Sequence, residues 1–398
     1  MKGRVAMWYL TYDAYLRQQY ANALQLPEDW DALYTYYRKD GVNPDRIHSE
    51  ELQAVKKDLL QVLPKRFVPY VEDGSLNRPT LVKEVREDFI AWQMEENARF
   101  EALLGSSMMD FEQHKAKFEP KLAEVIEGGL HDAIVTAIVD NHIFINTEGG
   151  FTAKACVILH IDDCLQQQGN LQRNDVILYE EIHLVEDEIH LRLITHNGEV
   201  TFIAKNIEAD FYYRPMPYHE LIANEVLPDV TAHHFIKELD PNLNYFVITD
   251  QYVLPITSFV IQGAELAQFE EGTILQKDNA IYLQINNELT KIAQSEIEWL
   301  SQLFTTTYVD PYAIFSEPVP NEQLPAALRS NDLTLIVRAW NTLYENPTGH
   351  EMLINEALIE LAENVNNENN VMLDVYVAHF DALGIITNDT KMALAKYF

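Results

Sequence analysis

His131 and Asp132 stand side by side in "GGLHDAIVTAIVDNHIFINTEGGF", residues 128–151. An imidazole beside a carboxylate is metal-ligating chemistry, and with further ligands it could activate water for hydrolysis. That use needs more histidines or aspartates arriving in a helical context, whereas β-branched residues follow this pair at once. The pair is therefore expected to hydrogen-bond backbone groups where the chain enters its first strand. A metal-assisted hydrolase using His131, Asp132 and neighbouring histidines is the alternative. His142, His160, His183, His190 and His196 fall near strand ends, where imidazoles on adjacent strands can converge, but spacing alone selects no set. His233 and His234 are adjacent, so on a helix they point in different directions and do not chelate one ion together. No metal ligand, cofactor or catalytic residue is assigned.

Two other clusters carry polar chemistry. Glu180–Glu181 could act as acid and base if folding buried one of them. Glu180 shares the apolar side of Val176, Leu178, Ile182 and Leu184, for which a β-bulge is the expected reason and a functional carboxylate the alternative. In "IEADFYYRP", Tyr212, Tyr213 and Arg214 are of the types enriched in binding hot spots. They join His131 and Asp132 as candidate binding residues, against the reading that this strand's aromatic faces simply cap two cores. The chain contains no GxSxG elbow, P-loop, GxGxxG, HExxH or kinase signature, which leaves nucleophilic and nucleotide chemistry without a motif.

The elements that must position these residues follow from periodicity. "HSEELQAVKKDLLQVLPK" reads as a helix capped by Ser49, striped by Leu52, Val55, Leu59 and Val62, and stopped by Pro64. "RPTLVKEVREDFIAWQMEENARFEALLG" reads as a second, from a Thr80 cap to a Gly105 exit, with Glu96 interrupting its apolar stripe. The opening "MWYLTYDAYLRQQYANAL" reads as helical too. At Gly128–Gly129 the period becomes alternating: "AIVTAIV", "HIFIN" and "KACVILHI" read as strands, then "DVILYEEIHLV", "EIHLRLIT" and "EVTFIAKNIEADFYY" as an antiparallel meander. Asn197–Gly198 is the favoured pair for a type I′ turn. Ile189, Leu191 and Leu193 alternate with His190 and Arg192, which predicts one apolar face and one wet face. Further strands are expected in "YFVIT", "YVLPITSFVIQ" and "AIYLQI", with Pro255 at an edge or bulge, and helices from Glu288 onward. The expected organisation is a helical region at 1–127, an antiparallel β unit at 128–216, a connector at 217–240 and a mixed unit at 241–398. The fold class is α+β, closing in helices.

Composition bounds the partners. The chain has 398 residues and a formal net charge of −33, distributed as −4 over residues 1–120, −13 over 121–238 and −16 over 239–398. Such a surface repels phosphate backbones and anionic membranes, so no nucleic acid and no membrane is expected. It attracts basic proteins. Cys156 and Cys164 form no CxxC or disulfide framework, and no signal peptide or membrane-length apolar run occurs, which predicts a soluble cytoplasmic protein. The sequence fixes no oligomeric state.

"MWYLTYDAYL", "LPKRFVPYVEDGSL", "LHDA", "GGF", "ILYEEIHL" and "IAKNIEADFYYRP" together resemble an uncharacterised bacterial family of unknown function, over about residues 7 to 215 and more loosely beyond. "LHDA" followed by strands is also similar to β modules of polymorphic-toxin immunity proteins. The resemblance implies no catalytic residues. The expected function is a protein-binding module, immunity-like, that neutralises a basic partner. An acidic scaffold without a catalytic role is a further alternative.

Overall fold

A computed structural model describes residues 8–27, 29–39, 41–223, 235, 238–249, 253–258, 265–269, 273–277, 280–285, 287–363 and 370–395. The architecture is α+β, in two compact units: Met1–Pro215 with Asp229–Tyr308, and Met216–Pro228 with Val309–Phe398. The boundary expected at residue 240 falls within the first unit, because backbone hydrogen bonds between Tyr213 and Thr305 (2.8 and 2.9 Å) tie the later strands to the earlier ones.

The first unit opens with helices α1 (Tyr12–Ala21), α2 (Trp30–Lys39), α3 (Pro44–Val62), α4 (Val68–Glu72), α5 (Lys83–His114) and α6 (Pro120–Gly128). Helix α1 starts later than the aromatic run suggests, since Thr11 caps it by accepting from the Ala14 N–H. This leaves Trp8–Leu10 as a non-helical strap. Helix α3 starts earlier than expected: Asn43 caps it and Pro44 takes the first position, ahead of Ser49, as proline's fixed φ favours. Its stripe lands as read, with Leu52 and Leu59 buried in a core shared with Phe67, Phe89 and Trp92. Gly105 does not end α5, which runs on to His114. A glycine inside a helix costs only about 1 kcal/mol, and burial of Phe100 and Phe111 on either side of it outweighs that.

Six strands follow: β1 (Ala133–Val139), β2 (His142–Asn146), β3 (Cys156–Gln168), β4 (Val176–Val185), β5 (Glu188–Thr195) and β6 (Gly198–Tyr212). β4, β5 and β6 pair in sequence order, as the meander requires, but the sheet closes into a barrel of order β1-β2-β3-β6-β5-β4. Closure rests on the long β3–β6 ladder, Cys156↔Tyr212 through Gln168↔Thr201, and on the short β1–β4 pairing at Ala133↔Ile177 and Ile134↔Val176. The inward residues, among them Val135, Ile145, Val157, Leu159, Ile182, Leu191 and Phe202, form one core with Leu122, Val125 and Ile126 of α6. The β5–β6 turn is centred on His196–Asn197, with Gly198 already paired to Thr195, so the expected type I′ placement of Asn197–Gly198 is one residue late.

A second sheet of the same unit has the order β12-β11-β10-β9-β8-β7-β13, comprising β7 (Tyr245–Ile248), β8 (Val253–Ser258), β9 (Glu265–Phe269), β10 (Thr273–Lys277), β11 (Ala280–Ile285), β12 (Glu288–Ala293) and β13 (Leu303–Thr305). Residues from Glu288 therefore form a strand where a helix was expected, because Ile285↔Glu288 closes a tight hairpin with Asn287 at φ 70°. Pro255 sits in β8, inside the sheet and beside a bulge between Ile256 and Ser258. Phe246, Ile248 and Phe304 of this sheet pack on Ala137, Phe144, Cys156 and Tyr212 of the barrel's outer face.

The second unit holds α7 (Met216–Ala223) and the helices Leu333–Glu345, Glu351–Glu363, Asn370–Ala382 and Asn388–Ala393. Leu343, Ile354, Leu358, Leu373 and Phe380 are fully buried there. No helix among the described residues is long and apolar enough to cross a membrane.

Candidate functional site

Strand β4 gathers the polar residues of the barrel onto its two faces. Outward, the Glu181 carboxylate is buried and accepts from the backbone N–H of Tyr9 (2.9 Å) and of Leu10 (2.8 Å). It also meets His183 Nε2 at 2.6 Å, while His183 Nδ1 meets Asp110 of α5 at 2.6 Å. Burial works against the charged imidazole, but the two carboxylates outweigh it and raise the His183 pKa. A doubly protonated ring donating to both sides is the species this geometry holds. Trp8 lies edge-on to His183 at 5.0 Å and beneath the Arg192 guanidinium at 4.3 Å. Arg192 further donates to the Leu10 carbonyl (3.1 Å) and to Thr201 Oγ1 (3.2 Å).

The face of β5 expected to be wet is therefore dry: His190 and Arg192 are buried. The Trp8–Leu10 strap covers the neighbouring ground, which alternation of residue types along β5 could not disclose. Burial lowers the pKa of His190; among the described residues neither of its ring nitrogens has a hydrogen-bond partner, the Glu188 carboxylate lying 3.6 Å from Nε2.

Inward, Glu180 sits at the barrel mouth under the α6–β1 connection, where the Leu130 N–H donates to it at 3.2 Å. The residue keeps partial exposure, yet burial of its carboxyl pushes the pKa up to about 7. The expected bulge is present, between Ile177 and Tyr179 in the β4–β5 ladder. It turns Glu180 inward beside Ile182.

His131 and Asp132 stand at the entry to β1. His131 Nδ1 bonds the Leu178 carbonyl, and the Asp132 N–H bonds the Ile177 carbonyl at 2.8 Å. Asp132 adopts φ 61°, a left-handed conformation that aspartate tolerates. The His131 ring stacks with Phe151 at 6.0 Å and tilts against Tyr179 at 5.4 Å. The Gly149–Gly150 turn lies on the backbone of the same pair: a Cβ at Gly150 would come within 2.4 Å of the His131 carbonyl oxygen. "LHDA", "GGF" and "ILYEEIHL", distant in sequence, are thus one contact region. Among the described residues no group of three His, Cys, Asp or Glu could hold a metal ion. His233 and His234 lie outside the described residues.

Tyr212 and Arg214 are buried rather than displayed. Tyr212 packs against Phe246 at 5.3 Å, Tyr213 bridges to Thr305, and Arg214 holds Glu148 through two bonds of 2.8 and 2.7 Å and donates to the Leu303 carbonyl. Phe211 packs on the barrel core and Tyr212 on the core shared with the second sheet, so the end of β6 caps two cores. Sequence reasoning missed Asp110, which reads as a surface residue of α5, and the strap.

A second polar feature lies on the barrel's outer face, where His142, His160 and Glu208 line up across β2, β3 and β6. It is a groove of about 280 Å³ that Asp162, Asp210, Glu119 and Lys121 also line. Asp210 is held below the usual carboxylate range, burial being outweighed by Lys121 at 2.6 Å and His160 at 3.1 Å. Among the described residues, Asp162 and Glu208 are in no ion pair.

Residues 9–203, just under half of the chain, match the model of a family described as a protein of unknown function (DUF4085). The matched span carries the strap from Tyr9, Asp110, His131, Glu180, Glu181 and His183, and stops within β6, short of Tyr212–Arg214. No curated protein and no solved structure matches the chain. The part of the chain that builds the helical region and most of the barrel is thus similar to a family of unknown function.

Proposed function

We propose that the protein is a cytoplasmic protein-binding module that captures a basic partner, in an immunity-like role that covers the active surface of a cationic toxin or effector. The observation that carries this reading is the acidic groove on the β2–β3–β6 face. Its four carboxylates outnumber its one lysine: Asp210 takes that lysine, Glu119 caps α6, and Asp162 and Glu208 are in no ion pair among the described residues. A groove of this size accepts an arginine or lysine side chain, and the imidazoles of His142 and His160, 4.8 Å apart, offer it further acceptors when neutral. The net charge of −33 supplies long-range attraction that raises the rate of encounter. By contrast, the polar groups of β4 are spent on holding the strap, α5 and the α6–β1 connection.

The test is capture from a lysate of the native host on immobilised full chain, compared with Asp162→Lys/Glu208→Lys. A basic protein retained at low salt, released by about 0.5 M salt where the Debye length falls to a few ångströms, and lost with the double variant is the expected outcome. Retention that ignores both salt and the double variant refutes the groove. Recovery of no basic protein refutes the reading as a whole.

A further inference from the structure

Helix α6 leads directly into the start of β1 and covers that end of the barrel, with Leu122, Val125 and Ile126 in the common core. The β1–β2 turn marks the other end. There a recess of about 230 Å³ opens toward solvent. Its floor is barrel core, since Ile143, Ile161, Leu171 and Phe202 line it and are buried members of that core. Ile138, at the mouth, is 43% exposed. An apolar molecule seated in the recess removes that side chain from water.

Two pinned turns shape the opening. The β1–β2 turn, with Asp140 at φ 51°, is tied to β3 by the Ile161 N–H, which donates to the Asn141 carbonyl at 2.8 Å. The β3–β4 loop is tied to the β5–β6 hairpin, because Asp175 accepts from the Gln172 N–H (2.8 Å) and from Asn197 Nδ2 (2.7 Å). In the same loop a Cβ at Gly169 would lie 2.3 Å from the Glu199 carbonyl oxygen. A bulge between Cys164 and Gln166 breaks the β3–β6 ladder beside the recess, as bulges do at barrel rims. Walls already in place need little ordering when a ligand binds. The rim is polar: the exposed amides of Asn141, Gln167 and Asn170 offer donors and acceptors. Asp140 adds a carboxylate that is in no ion pair among the described residues.

We propose that this end of the barrel binds a small uncharged aromatic molecule of one or two rings bearing an N–H or O–H group, with its rings on Ile138, Ile143, Ile161 and Phe202 and its polar group among the rim amides. Mouths of barrels are common ligand sites. A cavity of about 150 Å³ holds benzene, and the extra volume here admits a second ring. Phe202 supplies an aromatic neighbour, while Asp140 works against an anionic substituent. None of these residues lines the acidic groove, and the site does not depend on a protein partner.

The test titrates the full chain, labelled at its isoleucine methyls, with indole and with indole-3-carboxylate, which at neutral pH has the same rings and a negative charge. Methyl spectra at low salt should show indole shifting Ile138, Ile143 and Ile161 along one saturable curve while Ile354 of the second unit stays unmoved. The carboxylate should bind roughly fivefold more weakly. Asp140→Asn, which tolerates the same left-handed backbone, should close that gap without changing the affinity for indole. Ile138→Trp, whose own indole occupies the mouth, should abolish the shifts at Ile143 and Ile161; should it fail to fold, Asp140→Asn still decides. Saturating indole should also slow alkylation of Cys164, which lines the recess, while Cys156 stays inert, buried with its thiol pushed up to about 12. Shifts that do not saturate, equal affinity for the two probes, a gap that Asp140→Asn leaves intact, shifts that persist in a folded Ile138→Trp, or an unchanged alkylation rate each overturn the proposal.

Discussion

Glu181 is the residue on which the strap depends, because one buried carboxylate serves two backbone N–H groups and an imidazole at once. Glu181→Ala leaves those donors without an acceptor and His183 with one carboxylate instead of two. The expected cost is about 3 kcal/mol, since each buried orphan donor costs on the order of 1–3 kcal/mol. Denaturant unfolding checks the magnitude, and a red shift of tryptophan emission checks that Trp8 has been released. Glu180 predicts a pH dependence. Its folded pKa of about 7 lies above its ordinary value of 4.5, so its contribution is complete below about pH 4.5 and is lost as pH rises through 7. Glu180→Gln should remove that slope, making the variant more stable than the parent by about 1–2 kcal/mol at pH 8, a figure reduced for solvent at the barrel mouth. Unfolding free energies measured between pH 5 and pH 8 decide it; equal slopes in the two proteins would show that the carboxylate is not desolvated. His183, raised by its carboxylate partners, adds a loss in the same direction, which Glu180→Gln leaves in place.

Elements are joined here by contacts that a one-dimensional pattern registers only as defects. Glu96 broke the apolar stripe of α5, and the structure answers the break with Arg17 of α1, whose Nε and Nη2 each reach the carboxylate at 2.6 Å. Arg17→Ala leaves the buried Glu96 carboxylate with only Arg99, at 3.8 Å, and should cost about 2 kcal/mol, whereas Arg17→Lys, which loses the fork geometry, should cost about half of that. Chemical denaturation of the two variants gives the comparison. The Gly149–Gly150 turn is a second join. Gly150→Ala forces a methyl against the His131 carbonyl oxygen, backbone against backbone, so relief requires the β2–β3 loop to move. A loss of about 1–3 kcal/mol is expected, with faster hydrogen exchange at Asp132 and Ala133. The helix stripes of α3 and α5 and all six barrel strands were legible in the sequence because period and turn residues are local signals. The start of α3 and the end of α5 were not, since a cap residue and a tolerated glycine compete on differences near 1 kcal/mol.

For the whole molecule, charge acts twice and in opposite directions. With −33 charges on 398 residues, self-repulsion opposes compaction, so added salt should raise the melting temperature. The same salt should weaken capture of a basic partner. Thermal scans from about 20 mM to 500 mM salt read the first effect; a melting temperature that falls with salt would mean that attractive pairs outweigh the repulsion.

The amino-acid sequence by itself determined the class of fold, the positions of α3, α5 and the six barrel strands, the excess of negative charge and the lack of a catalytic motif, because propensity, periodicity and composition are properties of short segments. It also identified His131–Asp132 as the step from helix to strand, since a polar pair ahead of a β-branched run has backbone groups to satisfy. Only the tertiary structure decided that the meander closes into a barrel, that β5 is dry on both faces, and that Asp110, Glu181 and the Trp8–Leu10 strap converge on His183. These depend on contacts between residues tens to more than a hundred positions apart, whose energies come from mutual burial and desolvation. The acidic groove was set in the same way, by bringing together carboxylates from β3, β6 and the start of α6.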